Sequence, residues 1–89
     1  MLMDDASKIR DFVVNTFLFG DGAFLKEDTS FLEEGIIDST GILELIMFLE
    51  ETFGIKIEDS ELIPDNMDSI LNITRFVQSK IGGRAVAET

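Results

Sequence analysis

Apolar residues recur along this chain mainly at helical spacing. Between Asp4 and about Leu18 they fall at Ile9, Phe12, Val13 and Phe17, the i, i+3, i+4, i+8 series that lines one face of a helix. A second stripe, Ile42, Leu45, Ile46, Leu49 and Phe53, follows Asp38, which is placed to accept a backbone N–H one turn in, and Gly54 is placed to stop the helix. A third stripe, Ile70, Ile73, Phe76, Val77 and Ile81, follows Asp68 as its expected cap and is expected to end at Gly82 and Gly83. Between these two, Ile55 and Ile57 alternate only briefly. Glu58 and Asp59 suit a helix start, and Pro64 closes a segment with room for little more than one turn.

The remaining stretch, "GDGAFLKEDTSFLEEGIID", has no helical period, and Gly20 and Gly22 break the pattern at its start. So long a loop in a small domain has to be pinned, and Phe24, Leu25, Phe31, Leu32, Ile36 and Ile37 are the apolar anchors on offer. The expected fold is all-α, a small four-helix bundle with three main helices, one short helix and a long first loop. The domain is expected to span 1–82, with 83–89 as a flexible C-terminal tail.

Composition narrows the chemistry. With 89 residues and 45% hydrophobic letters, the chain can build one core and not two. The absence of cysteine and histidine removes thiolate nucleophiles, disulfides, imidazole bases and the usual zinc ligand sets. Apolar runs are short, and "MLMDDASK" has acids where a signal peptide needs bases, so a soluble, cytoplasmic monomer is expected. A net charge of −11 disfavours nucleic acid and anionic membranes and favours partners with basic surfaces. The same charge makes self-repulsion a term against a modest core, so added salt is expected to raise the melting temperature.

An acidic helical chain invites a test for calcium. From Asp21 the third and fifth positions of an EF-hand loop are Ala23 and Leu25; from Asp28 the fifth and sixth are Leu32 and Glu33, and neither series supplies the ligands and glycine required. No metal site is expected. Hydrolysis by Ser39 fails for want of a base, since there is no histidine and Lys8, Lys26, Lys56 and Lys80 all lie outside its stretch. The chain is therefore not expected to be an enzyme.

On the residues alone, Asp38-Ser39 reads as a helix cap. The helix that follows adds to this. At about 100° per residue, the face opposite the core stripe is centred on Thr40, Glu44, Met47 and Glu51, with Leu43 and Glu50 beside it. Ser39, Leu43 and Met47 form one strip at i, i+4, i+8. That outline fits a docking surface for a basic partner, and it also fits an acidic, solvated helix with two ordinary exposed apolar residues.

"FLEEGIIDSTGILELIMFLEETFGIKI", with an acidic short segment and "NMDSILNITRFVQSKI" after it, resembles the acyl carrier protein family from the first helix to Ile81. Its most specific element is Gly35, two residues, Asp38 and Ser39, followed by an acidic amphipathic helix ending in Phe-Gly. The resemblance implies that Ser39 carries 4′-phosphopantetheine, delivered from coenzyme A by a magnesium-dependent phosphopantetheinyl transferase, and that Asp38 helps present it. It implies a carrier that holds an acyl or aminoacyl group as a thioester in a lipid, polyketide or aminoacyl pathway. Its partners would be that transferase, an activating ligase, and acyl-transfer enzymes with basic docking surfaces. By the same likeness Ile57 joins the docking residues, and Ile57, Leu62 and Phe31 line any pocket for cargo. The family most often has Leu after the serine, whereas this chain has Thr40 and then Gly41, which favours a discrete carrier of a specialised group. The alternative is an acidic helical protein-interaction module with no prosthetic group.

Overall fold

Asp4 begins the first helix, its Oδ1 accepting the Ser7 N–H at 2.8 Å. In the computed structural model, which describes residues 4–88 and their side chains through residue 82, α1 spans Asp5–Phe17, α2 Gly41–Phe53, α3 Pro64–Met67 and α4 Ile70–Glu88. A 3₁₀ turn at Asp59–Glu61 precedes α3, and no strand occurs among the described residues. The fold is the expected all-helical bundle. None of these helices is long and apolar enough to cross a membrane.

Three side-chain contacts set α1 against α2. Lys8 Nζ lies 5.9 Å from the Phe53 ring centroid, Phe12 stacks on Phe48 at 4.2 Å, and the Phe17 ring edge meets the backbone at Gly41. Rising numbers on α1 meet falling numbers on α2, so the two run antiparallel, with the C-terminus of α1 beside the N-terminus of α2. α4 packs against both. The helical stripes supply the fully enclosed centre of the core, Ile9, Val13, Leu45, Leu49, Ile73 and Val77. Burial of such side chains contributes about 1.5–3 kcal/mol each.

The long loop is pinned by fewer apolar anchors than its sequence offers. Leu25, Phe31 and Ile37 are buried, whereas Phe24 and Leu32 are exposed. Polar bonds do the rest. The Arg10 guanidinium donates to Leu25 O at 2.6 Å and Gly22 O at 2.7 Å, so one cation on α1 satisfies two loop carbonyls. Leu71 N donates to Glu27 O at 2.8 Å and Phe31 N to Asp68 O at 2.7 Å, tying the loop to the start of α4.

Three local expectations are corrected. Asp68 does not cap α4; Ser69 does, its Oγ accepting from Asn72 N at 3.1 Å. The Asp68 carboxylate turns to the loop instead, accepting from Ser30 Oγ and Leu32 N. Pro64 opens a turn where it was expected to close one: it stands at the first position of α3, where a missing N–H leaves no bond unmade. Finally, α4 does not stop at Gly82 and Gly83 but continues to Glu88. Glycine lowers helix propensity by about 1 kcal/mol without forbidding a helix, and Ala and Glu beyond the pair favour one. The expected tail at 83–89 thus has helical backbone to Glu88, and its side chains lie outside the described residues.

Candidate functional site

The turn that carries Ser39 is built by its neighbours. Gly35 has φ 64°, a left-handed conformation that glycine adopts without strain, and the chain there folds back so that Ile36 N donates to Phe31 O at 3.0 Å. This reversal sends Ile37 into the core and leaves Asp38, Ser39 and Thr40 exposed. Asp38 then closes the turn. Its Oδ1 accepts from Gly41 N at 2.6 Å and from Thr40 N at 3.1 Å, while its carbonyl accepts from Ile42 N at 3.0 Å. Asp38 is thus the expected cap. The first N–H groups of α2 are therefore already taken within the turn, and an anion at Ser39 would be favoured by the helix dipole rather than by free N–H donors. The Ser39 hydroxyl makes no hydrogen bond to any described residue.

Beside Ser39 lies a cavity of about 310 Å³. Phe31, Ile37, Ile42, Leu62, Ile63 and Met67 give it an almost wholly apolar wall, which Asp38, Ser39 and Asp68 complete. Ser39 is both exposed and part of that wall, so it stands where the cavity meets solvent. Of the three lining residues implied by family likeness, Phe31 and Leu62 line it. Ile57 does not; it is only 8% exposed and sits in the core. Ile63 and Met67, which no local pattern singles out, come from the short α3 segment that folds across the cavity.

The strip beyond Ser39 is open. Leu43 and Met47 are each 59% exposed, and Thr40, Glu44 and Glu51 are exposed with them. Glu50 differs, since its Oε2 accepts the Ile57 N–H at 2.8 Å and it is half-buried. The helix ends at Phe53, which is buried, and Gly54, whose φ of 65° is the left-handed cap that a glycine supplies. At the 3₁₀ turn before α3, Lys80 Nζ bonds both Glu61 oxygens, at 2.9 and 3.1 Å. The Glu61 carboxyl lies below its ordinary range, chiefly through the Glu58 backbone N–H and then through Lys80.

The family defined by the phosphopantetheine attachment site matches residues 19–77, more than half of the chain. The acyl carrier protein of Campylobacter hominis is 34% identical over 77 residues, which span 86% of this chain and 94% of that protein. A chain in the crystal structure of an FAD-dependent dehydrogenase superposes with a TM-score of 0.71 at 26% identity, covering 78% of this chain and 97% of that one. Sequence, motif and helical architecture agree, and the chain belongs to the acyl carrier protein family, carriers whose cofactor is phosphopantetheine.

Proposed function

We propose that Ser39 carries the 4′-phosphopantetheine and that the chain is a discrete carrier of an apolar acyl group. One observation supports this above the others: an exposed, unbonded serine hydroxyl stands on a locked turn at the rim of an apolar cavity. The surroundings fit the group, because the hydroxyl opens to solvent and nothing has to be displaced to substitute it. In the transfer, Ser39 Oγ attacks the phosphorus of the pantetheine-bearing phosphate of coenzyme A and a new P–O bond forms. The P–O bond of the pyrophosphate bridge breaks, adenosine 3′,5′-bisphosphate leaves with the electron pair, and the hydroxyl proton passes to a base of the transferase. When bound, the group supplies a terminal thiol that holds the acyl cargo as a thioester. Asp38 fixes the turn, and the chain provides no base of its own.

The cavity favours an apolar acyl chain over an aminoacyl group. Each buried methylene contributes about 0.8 kcal/mol against the apolar side chains of the wall, and the two carboxylates there, Asp38 and Asp68, already accept from Gly41 N, Thr40 N, Ser30 Oγ and Leu32 N. Docking is assigned to Thr40, Leu43, Glu44, Met47 and Glu51, facing basic surfaces on the transferase, an activating ligase and acyl-transfer enzymes.

The test is incubation with coenzyme A, magnesium and a broad-specificity phosphopantetheinyl transferase, read by intact mass. A gain equal to phosphopantetheine that is absent in Ser39→Ala supports the assignment; a folded wild type that gains nothing favours the interaction-module alternative. Loading the modified protein with straight-chain acyl groups of rising length, and with alanyl, tests the cargo. Thioester protection from hydroxylamine is expected to rise with chain length, and equal protection for alanyl would remove the apolar assignment.

A further inference from the structure

Phe19 is 95% exposed and is the one non-glycine among the described residues with a positive φ, at 52°. A bulky aromatic there is an outlier, because its Cβ crowds the backbone where glycine would not. The local bonds hold it in place: Leu18 N and Gly20 N both donate to Val14 O, at 3.1 and 2.9 Å, and Asp21 N donates to Leu18 O at 2.9 Å. Glycine would make the same turn without strain and without an exposed ring. Strain held at an exposed position argues for a use outside the fold.

Its location indicates that use. A methyl placed on Gly41 would come within 2.7 Å of Phe17 Cε1 and 3.2 Å of Asp38 Oδ1, so the end of α1 abuts the turn that presents Ser39. Phe19, two residues further on, therefore stands at the Ser39 end of the bundle, on the α1 side, while Leu43 and Met47 lead away along α2. Enzymes that act on a thioester at the tip of a long arm do not have to bring the Ser39 hydroxyl itself into their active sites. The transferase does, because Ser39 Oγ itself must reach the reacting phosphorus, which brings this end of the bundle against the enzyme.

Resting on the assignment of Ser39 as attachment point, we propose that Phe19 is an apolar anchor for the phosphopantetheinyl transferase, its ring entering a recess beside the coenzyme A site. It is a positioning residue and takes no part in bond making. Phe19→Ala is expected to lower kcat/KM for modification about tenfold, chiefly through KM, as loss of a buried aromatic anchor does. Phe19→Gly separates the ring from the turn: it relieves the left-handed strain and raises the melting temperature, yet modification slows as much as in Phe19→Ala. A wild type that is not modified at all removes the Ser39 assignment, and this inference with it. A wild type modified at Ser39 together with Phe19→Gly modified at the same rate removes the anchor and leaves the assignment standing.

Discussion

Asp68 and Ser30 meet across the bundle, with Ser30 Oγ donating to Asp68 Oδ2 at 2.5 Å while the other carboxylate oxygen takes the Leu32 N–H at 2.9 Å. One side chain at the head of α4 thereby holds the part of the loop that delivers Phe31 to the cavity wall. Asp68→Ala is expected to destabilise the protein by about 2 kcal/mol, since hydrogen bonds to charged groups are worth about 1.5–3 kcal/mol each and these are partly exposed. Urea unfolding gives the magnitude, and hydrogen exchange at the Leu32 amide gives the place. Unchanged exchange there would mean that the backbone bond from Phe31 N to Asp68 O suffices.

This pairing marks the limit of what the sequence discloses. The helical stripes are legible because burial of one face imposes its period, and the Ser39 turn is legible because Gly35, Asp38 and Gly54 each meet a local backbone need. Asp68 and Ser69 are equally good caps on local grounds, and only the distant Ser30 decides which one serves. Arg10 carries no periodic signal, yet its two bonds fasten the loop. The cavity is a property of packing between elements, so Ile63 and Met67 are invisible to any reading of helix faces.

Asp38 is expected to act on both stability and modification. Asp38→Ala removes the acceptor for Gly41 N and Thr40 N, and loss of such a cap costs about 1 kcal/mol. With the turn loosened, transfer to Ser39 should slow by more than this stability loss explains, because most molecules remain folded. Thermal melts and transferase kinetics on the same samples separate the two. A slowed reaction fully restored by lowering the temperature would assign the effect to unfolding alone.

Glu61 gives an acid-side prediction. Its folded carboxyl is held below the ordinary range by the Glu58 N–H first and by Lys80 second, so its contribution is present above the unfolded glutamate pKa and is lost as pH falls through the folded one. Lys80→Met removes the second cause. The variant should be less stable than wild type at neutral pH, with the gap narrowing as pH falls through and below the ordinary carboxylate range. Urea midpoints against pH provide the measurement. A gap independent of pH would point to the Lys80 stem and its position 5.7 Å from the Phe76 ring centroid.

The proposed docking face makes the sharpest distinction among the acids of α2. Glu44 and Glu51 are exposed on either side of Met47, whereas Glu50 is held by the Ile57 N–H. Exposed charges mainly steer encounter, and desolvated apolar anchors hold the complex. Glu44→Lys with Glu51→Lys should slow association with the transferase and reduce its dependence on salt, leaving the circular dichroism spectrum unchanged. Met47→Ala should act through faster dissociation, weakening binding by about 1–2 kcal/mol when the side chain is buried in the complex. Glu50→Lys should behave unlike all of these: it removes the acceptor of a backbone N–H and should lower the melting temperature before binding is considered. Stopped-flow binding at two salt concentrations, with melts on each variant, reads all three effects. If the double reversal leaves both the association rate and its salt slope unchanged, the acidic face of α2 serves solubility and the docking surface lies elsewhere.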